Sequence, residues 1–413
     1  MSDAPRDSAG HARGEALRTL AARIEAKGRE LGFDRVRIAD AVPSDHGAFL
    51  DRWLEEGRHG EMGYLARPDA VERRRDPRRS LDGARSVIVV THPYGSGGPQ
   101  SESPDVGLIA RYARGRDYHR VVKGRLRELL RWLDAEAGRL GVAERVEGRG
   151  HVDTGPLLER ELARRAGIGW FGRNTMMIDP GRGSYFVLGA LLVDLALPPD
   201  PPFTADRCGS CHACLDACPT GALLGRDESG APVIDATRCI SYLTIELRGS
   251  IPEELRPAIG NRVFGCDICQ EVCPWNGRFP AAHPEPAYAA RGPGQRPPGV
   301  EAVPGEAEGS DPEATPDPLH PGTADPPLVE LLAMALDPDA WESFSRGSSI
   351  RRAGRAGFAR NVCVALGNRL AAVEGPASEA VALLRRAADD PDPIVREHAR
   401  WALERAGPGA TAR

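Results

Sequence analysis

Two kinds of segment are missing from this 413-residue sequence, and each absence excludes a class of protein. No run of about 18 apolar residues occurs, so we expect no transmembrane helix. The N-terminal stretch MSDAPRDSAGHARGEALRTL contains neither an apolar signal core nor adjacent arginines. We therefore expect no export leader and predict a soluble, cytoplasmic protein whose thiols stay reduced.

Nucleotide-binding motifs are missing as well. The glycines between positions 167 and 183 do not match a dinucleotide-binding fingerprint, which needs a preceding strand as well as the glycine spacing, and no P-loop occurs. Neither a nicotinamide site nor a nucleotide site is predicted.

Cysteine, in contrast, is concentrated in one region. Eight of the nine cysteines lie between residues 208 and 273, in two runs that each end in Cys-Pro. The first run has the C-x2-C-x2-C-x3-C-P spacing of bacterial ferredoxins. Two 4Fe-4S clusters need eight thiolates, so the sequence predicts two clusters. If the ferredoxin crossover holds, one cluster is bound by Cys208, Cys211, Cys214 and Cys273, and the other by Cys218, Cys239, Cys266 and Cys269.

Other interpretations of these cysteines explain less. Disulfide frameworks are typical of small secreted domains, and this chain is long. A zinc ribbon accounts for C-x2-C pairs but leaves the third cysteine of the first run and both Cys-Pro endings unexplained. The ninth cysteine, Cys363, lies in a predicted helix and is interpreted as a small core residue.

Hydrophobic periodicity and composition divide the chain into five parts. Helical patterns at Glu15 to Leu31 and Tyr118 to Leu140 alternate with strand patterns at Ser86 to Thr91 and Tyr185 to Leu195, which indicates an α/β domain. The predicted parts are a disordered N-terminus (1–14), an α/β domain (15–203), a ferredoxin-like domain (204–279), a disordered Pro/Gly-rich insertion (280–327) and an all-α domain of HEAT-like repeats (328–413).

The predicted repeat domain is basic. From Ser345 to the last residue it has twelve arginines and seven acidic residues. Such a surface is either an ordinary solvated face or a site that binds backbone phosphates, and the charge alone does not decide between them.

The segment from Asp153 to Ser184 is rich in polar and glycine residues. Asp153 precedes Thr-Gly-Pro and a predicted helix, so local spacing favours an N-cap. An N-cap and a proton donor are compatible roles for one carboxyl group.

Four segments together resemble the epoxyqueuosine reductase family. They are CGSCHACLDACPTGAL, CISYLTIELRGSIPEELRPAIGNRVFGCDICQEVCPWN, VDTGPLLERELARRAGIGWFGRNT and DYHRVVKGRLRELL. The resemblance implies a cobalamin-dependent enzyme with two 4Fe-4S clusters, a nitroreductase-like and cobalamin-processing-like N-terminal domain, and a helical-repeat tail. Its members reduce epoxyqueuosine to queuosine, the final step of queuosine biosynthesis, at the wobble position of the tRNAs for Asp, Asn, His and Tyr.

The resemblance also implies roles for individual residues. Asp153 is the expected proton donor, with a pKa raised by an apolar, closed site. The expected cobalamin neighbours are Arg74, Asp153, Met177, Leu188, Ser241 and Asp267. Arg173 stands where the family commonly has lysine, and no D-x-H-x-x-G box is present, so cobalamin is expected to bind without a protein histidine below the cobalt.

The expected partners are the anticodon stem-loop of tRNA and an external low-potential electron donor such as flavodoxin or ferredoxin, and the chain is expected to be monomeric. The candidate tRNA contacts are Lys123, Arg125, Arg127, Arg351, Arg352, Arg355 and Arg360. Two alternatives are a corrinoid iron-sulfur reductive dehalogenase and a non-catalytic ferredoxin-like electron carrier. The first is expected to carry an export leader, and the second leaves about 200 upstream residues without a role.

Overall fold

The computed structural model describes residues 5–94, 100–278, 285–288, 290, 325–372 and 377–406, with side chains from residue 10. The N-terminal region contains α1 (Pro5–Glu30), β1 (Arg35–Asp40), α2 (Gly47–Glu55), α3 (Pro68–Arg75), β2 (Ser86–Pro93), β3 (Leu108–Ile109), α4 (Tyr118–Arg139), β4 (Gly148–His151), α5 (Glu159–Arg165), β5 (Trp170–Phe171), β6 (Met177–Ile178) and β7 (Phe186–Val193). The predicted helices and strands of this region are confirmed.

A four-stranded sheet in the order β1-β2-β7-β4 forms the centre of this region. Strand β2 reads SVIVVTHP and is buried over almost its whole length, because helices cover both faces of the sheet. All three pairings within the sheet are antiparallel. The mixture of helices and strands is as predicted, whereas the parallel sheet that such alternation usually produces is not formed.

Helices α1 and α4 cover one face of the sheet, and α5 covers the other. Leu20 and Ile24 of α1 pack with Leu126 and Leu129 of α4 in one buried cluster. Helix α1 begins at Pro5, so the prediction of disorder through residue 14 is wrong for residues 5–14.

The cysteine-rich region follows the sheet. Its elements are α6 (Ala213–Asp216), β8 (Leu223–Arg226), β9 (Pro232–Ile234), α7 (Ile240–Ile245), α8 (Arg256–Ile259), β10 (Arg262–Phe264), α9 (Ile268–Glu271) and α10 (Pro274–Arg278). A buried polar network joins it to the start of β7: Gln270 Nε2 donates to Ser184 O at 3.0 Å, and Asn276 Nδ2 donates to Ser184 Oγ at 2.9 Å. These bonds hold α9 and α10 against the end of the sheet.

The C-terminal region is helical. Its helices are α11 (Leu328–Ala335), α12 (Pro338–Ser345), α13 (Gly354–Ala372), α14 (Ser378–Ala387) and α15 (Pro393–Glu404). It shares one hydrophobic core with α7, α8 and β10 of the cysteine-rich region, and Cys363 is completely buried in that core. The tail is therefore packed on the cysteine-rich region.

Short 3-10 turns complete the described structure. They span Gly63–Leu65, Pro77–Ser80, Arg111–Ala113, Ala236–Arg238, Glu253–Leu255, Pro286–Tyr288 and Ser349–Ala353. Most of the predicted disordered insertion at 280–327 lies outside the described residues. At its edges, Tyr288 is buried, and Asp325 accepts a hydrogen bond from Arg114 at 3.2 Å.

A polar seam on α13 fixes the tail in place. Arg360 is completely buried, and its guanidinium donates to the carbonyl oxygens of Leu243, Leu247 and Gly249 at 2.6 to 2.9 Å. Burial lowers the pKa of Arg360 to about 10, so the group stays charged at neutral pH. The predicted role of Arg360 in contacting tRNA is wrong, because its charge is enclosed by protein.

Two further side chains extend this seam. Asn361 Nδ2 donates to the carbonyl oxygens of Thr244 and Val263 at 2.7 and 2.9 Å, and Asn368 bonds the backbone of α8 in the same way. Because buried carbonyl groups need donors, these side chains specify where α13 docks. Among the described residues, no helix is long and apolar enough to cross a membrane.

Replacing Arg360 by leucine leaves three buried carbonyl groups without their donor. We expect Arg360→Leu to lower the opening free energy of α13 by about 3 kcal/mol or more, measured by amide hydrogen exchange. Arg351→Ala is the matched control, because Arg351 is exposed and its ion pair with Glu342 is worth less than about 1 kcal/mol. Equal protection of α13 in the two variants would contradict the seam's role.

Candidate functional site

Four of the cysteines come together around α6 and the start of α10. Burial raises the pKa of Cys214 to about 11, and the nearby Cys208, Cys273 and Cys211 add to this. A cavity of about 220 Å³ is lined by all four thiols. We call these four residues the first set.

The other four cysteines form a second set around α7 and α9. Burial raises the pKa of Cys266 to about 12, with a contribution from Cys239, and Cys218 contributes to the raised pKa of Cys239. Cys266 and Cys239 in turn raise the pKa of Cys269, after burial. These neighbours agree with the grouping that the crossover spacing predicts, and the assignment of individual cluster ligands stays a prediction.

Neither set has the geometry of a single-ion site. Among the described residues, no three His, Cys, Asp or Glu side chains are arranged to hold one metal ion. A cubane separates its four thiolates more widely than one ion does, so two 4Fe-4S clusters are compatible with this arrangement.

A path of close neighbours leads from the first set to Asp153. Cys214 of the first set is near enough to Cys269 of the second set to contribute to the raised pKa of Cys269. Asp267 contributes to the same pKa. Asp153 and Asp267 both add to the raised pKa of Tyr112, whose main cause is burial. Direct contacts join the second set to Asp153: Asp267, next to Cys266, accepts from Arg111 N at 2.8 Å, and the adjacent Tyr112 ring lies 5.8 Å from that of Tyr118, which donates to Asp153.

Asp153 lies in the loop between β4 and α5, in a strained conformation. Its φ is +55°, which is rare for a residue with a side chain, and strain of this kind is often found at functional sites. Helix α5 begins at Glu159 with Leu158 as its N-cap residue. The N-cap interpretation of Asp153 is wrong, because five residues of loop separate it from the helix.

The Asp153 carboxylate is bonded to the first turn of α4. Tyr118 Oη donates to Asp153 Oδ2 at 3.1 Å, and His119 Nε2 lies 3.3 Å from the same oxygen. The other ring nitrogen of His119 lies 2.7 Å from Asp117 Oδ1. Both imidazole nitrogens thus face carboxylates, and such an arrangement favours the doubly protonated, charged ring.

These contacts set the protonation states. Burial alone would lower the pKa of His119, but its hydrogen bonds to Asp117 and Asp153 outweigh burial and raise the pKa to about 9. Burial raises the pKa of Asp153, but hydrogen bonds from His119 and Tyr118 outweigh it, so the pKa lies below the ordinary value. The expectation of a raised pKa for Asp153 is wrong, because the neighbours of this carboxyl group are polar.

The Asp153 side chain is 67% exposed, yet the surrounding protein still desolvates it and the neighbouring, exposed Arg160. An exposed side chain that protein still desolvates indicates a concave surface, and we call the surface around Asp153, Glu159 and Arg74 the cleft. Glu159 Oε1 is buried without a hydrogen-bond partner among the described residues, and burial raises the pKa of this carboxyl to about 8. A cleft with an unpartnered polar atom in its wall is suited to a ligand that carries hydrogen-bonding groups.

Arg74 lies at the same cleft. It is buried on α3, donates one hydrogen bond of 3.4 Å to Leu65 O, and lies close enough to Glu159 and Tyr64 for their charges to affect its pKa, which burial lowers. The predicted cofactor neighbour Arg74 is thus brought together with Asp153.

The other predicted cofactor neighbours differ in what they expose. The side chain of Met177 is buried in the core beneath the sheet, and that of Leu188 is half-buried against the same core. Ser241 is half-buried on α7. Asp267 is 2% exposed and accepts a hydrogen bond from Arg111 N at 2.8 Å, so it supports the wall between the second set and Asp153.

Three regions of the chain meet above the cleft. Arg352, from the C-terminal region, forms an ion pair of 2.6 Å with Glu246 at the end of α7. Its guanidinium lies over the ring of Tyr64 at 5.5 Å, and Tyr64 is 42% exposed. Asp153 influences the pKa of both Arg352 and Tyr64, so this stack lies near the carboxylate.

The remaining candidate RNA contacts fall into two groups. The exposed ones are Lys123, Arg127 and Arg351. The half-buried ones are Arg125 and Arg355, which form ion pairs with Glu285 and Asp390. The exposed side chains are more accessible to a phosphate than the half-buried ones.

Several site residues were missed by sequence reasoning. Tyr118, His119, Glu159 and Arg160 all lie inside segments that carry the family resemblance, so their position in those motifs was an available signal. Tyr64 had no such signal, because its partner Arg352 lies far away in the sequence.

Two family profiles match the chain. The profile described as "4Fe-4S double cluster binding domain" matches residues 207–276, and "Epoxyqueuosine reductase QueG, DUF1730" matches residues 74–154. The first covers all eight cysteines of the two sets, and the second includes Arg74, His119 and Asp153.

Curated relatives match over almost the whole chain. The epoxyqueuosine reductase of Pseudomonas aeruginosa is 41% identical over 392 residues, which cover 94% of this chain and 95% of the relative. That of Escherichia coli is 37% identical over 391 residues, which cover 94% and 89%.

Solved structures agree with this. A crystal structure of epoxyqueuosine reductase with an epoxyqueuosine-modified tRNA-Tyr stem loop matches with a TM-score of 0.75 and 30% identity, and covers 95% of this chain and 91% of that one. The Bacillus subtilis enzyme, with its catalytic loop swung out of the active site, matches with a TM-score of 0.73, 29% identity and the same coverage. The chain therefore belongs to the epoxyqueuosine reductase family.

Proposed function

We propose that this protein reduces epoxyqueuosine to queuosine at the wobble position of the tRNAs for Asp, Asn, His and Tyr. The observation that carries the proposal is the chain of contacts from the two cysteine sets to Asp153, in a chain that matches a family member over 94% of its residues. Family membership favours this function over a reductive dehalogenase or a simple electron carrier. We propose a cytoplasmic monomer that receives electrons from a flavodoxin or ferredoxin.

The two cysteine sets are proposed to hold one 4Fe-4S cluster each. Bound clusters supply single electrons at low potential. In the first set, Trp170 Nε1 lies 3.4 Å from Cys208 Sγ and can donate to a ligating thiolate. Hydrogen bonds of this kind to the sulfur ligands are one means by which a protein tunes cluster potential.

The cleft beside Asp153 is proposed to hold cobalamin. The open cleft floor and the unpartnered Glu159 Oε1 fit a large cofactor edged with amide groups. Arg74, Ser241 and the backbone of Met177 and Leu188 are proposed to hold it, with Asp267 supporting the wall. Cobalamin supplies a strongly reducing cobalt centre that can react with carbon where no side chain could.

Asp153 is proposed to deliver a proton to the departing oxygen. Conversion of an epoxide to an alkene consumes two electrons and two protons and releases water. Asp153 is itself ionised at neutral pH, but its neighbour His119 carries a proton up to a pKa of about 9. The released oxygen is a far stronger base than either group, so it can draw a proton from His119 through Asp153, and the imidazole is then reprotonated by water.

The stack of Tyr64 and Arg352 is proposed to receive the RNA. Single-stranded loops are recognised by stacking of splayed bases on aromatic and guanidinium planes. Tyr64 and Arg352 offer both planes near Asp153, where the wobble base must leave the anticodon stack. The exposed Lys123, Arg127 and Arg351 are proposed to contact phosphates.

Asp153→Asn removes the proton carrier but keeps the shape of the side chain. We expect turnover of an epoxyqueuosine-containing anticodon stem-loop to fall by about 100-fold or more, measured by nucleoside analysis, with the iron content unchanged. Asp40→Asn, an exposed carboxyl at the end of β1, is the matched control. Conversion by wild type together with full activity of Asp153→Asn would remove Asp153 from the proposed role.

Asp117→Asn tests the protonation of His119. Asparagine can still cap α4, but the imidazolium loses one carboxylate, so the pKa of His119 falls and activity is lost at lower pH than in wild type. We expect kcat/KM to be roughly tenfold lower than wild type at about pH 8.5 and nearly equal at about pH 6.

Other charged groups near His119 and Asp153 are Arg120, Glu159 and Arg160. Glu159 has a pKa of about 8 and could also limit activity at alkaline pH. Glu159→Gln distinguishes Glu159 from His119 as the cause of lost activity at alkaline pH. If the loss disappears in Glu159→Gln and is unchanged in Asp117→Asn, Glu159 is the group responsible.

Arg352→Lys tests the stacking surface, because it keeps the charge and loses the guanidinium plane. We expect roughly tenfold weaker binding of the anticodon stem-loop in Arg352→Lys and in Tyr64→Ala, measured by fluorescence anisotropy. Arg400→Lys, on the exposed face of α15, is the control. Affinity should also fall steeply with salt, and salt-independent binding would argue against phosphate contacts.

A further inference from the structure

Three arginines surround the first cysteine set. Arg173, Arg207 and Arg278 line the same cavity as its four thiols. Arg173 Nη2 donates to Gly209 O at 2.8 Å, while Arg207 and Arg278 lie over the rings of Phe203 and Trp275 at 5.4 and 5.7 Å. Each guanidinium is therefore oriented by its surroundings, yet none of the three forms an ion pair with any described residue.

Two acidic residues near this cavity have described hydrogen-bond or ion-pair partners. Asp206 forms an ion pair of 2.7 Å with Arg226, and Asp216 is bonded to His212. Because none of the three arginines pairs with an acid among the described residues, they outnumber Asp216 and make a local positive surface on a chain whose net charge is -5. A local field of this sign attracts an acidic partner even though the whole chain is acidic.

This surface is also where the first set reaches solvent. Cys211 is exposed, and Val272, next to Cys273, is one of few large apolar side chains that are exposed, at 38%. Arg111, Tyr112 and Tyr118 connect the second set with Asp153, whereas the first set lines a cavity of its own and has the exposed Cys211, so the first set is the end that an outside electron carrier can approach. Close approach matters because electron transfer slows steeply with distance.

We propose that Arg173, Arg207, Arg278, Cys211 and Val272 form the docking surface for an acidic one-electron carrier protein. Exposed positive side chains together with an exposed apolar one are the two components, charged rim and apolar core, of transient protein interfaces. An RNA strand is a weaker fit, because the surface adjoins the first set while the Tyr64 and Arg352 stack lies near Asp153. The proposal rests on the proposed function, since it assumes that the first set holds a cluster.

The electron balance is simple. In each encounter the reduced carrier is oxidised by one electron and the first cluster is reduced by one electron. Two encounters supply the two electrons that one epoxide consumes, and the two protons come from water, one of them by way of Asp153. No covalent bond forms between carrier and protein.

Charge reversal at this surface tests the proposal in the full-length, cluster-loaded protein. In Arg207→Glu/Arg278→Glu, we expect the second-order rate of cluster reduction by a reduced acidic flavodoxin, followed by stopped-flow absorbance at low salt, to fall at least about tenfold. Its dependence on ionic strength should also become weaker. Reduction by an uncharged photoreduced deazaflavin should stay within about twofold of wild type, because a neutral donor is not steered by charge.

Arg131→Glu/Arg400→Glu is the matched control, because it changes the net charge equally at two exposed arginines elsewhere. If the reversed variant binds less iron, Arg207→Gln/Arg278→Gln makes the same test without introducing acids. The proposal is overturned if the reversed variant has its full iron content and is reduced by flavodoxin at the wild-type rate. It is also overturned if the variant keeps that rate and instead loses affinity for the stem-loop, which would identify an RNA surface. Conversion of epoxyqueuosine with deazaflavin as donor tests the proposed function separately.

Discussion

The polar seam on α13 is the interaction on which the rest of the arrangement depends. Arg360, Asn361 and Asn368 supply donors to carbonyl groups of the cysteine-rich region, and the Arg360 guanidinium alone bonds those of Leu243, Leu247 and Gly249. Because the tail is held in this register, the turn that precedes α13 places Arg352 over Tyr64. The cleft therefore has walls from all three regions of the chain.

Electrostatics within the cleft follow from a small number of contacts. Asp153 is kept ionised by Tyr118 and His119, while His119 is kept charged by Asp153 and Asp117. The carboxylate and the imidazolium together hold one proton over a wide range of pH, which neither group does alone in an ordinary environment. The strained backbone at Asp153 is the conformation in which this carboxylate reaches the first turn of α4.

The two ends of the electron path differ in what surrounds them. At the first set, Arg207, Arg278 and Val272 are exposed, and neither arginine forms an ion pair among the described residues. At the other end, Tyr112 is partly buried, and the Asp153 side chain beside Tyr118 is exposed. The proposed carrier surface and the proposed RNA stack therefore involve different residues.

The sequence by itself determined the elements whose signals are local. The cysteine spacing predicted two sets of four thiols, because neighbouring ligands come from one short segment, and the apolar periodicities predicted α1, α4, β2 and β7 because burial imposes a period on the chain.

Only the tertiary structure decided which charged groups are available. It removed Arg360 from the surface, separated Asp153 from the α5 cap, and lowered the pKa of Asp153 where an apolar site was expected to raise it. Burial and pairing depend on residues that are distant in sequence, such as Leu243 for Arg360 and His119 for Asp153, so no local pattern records them.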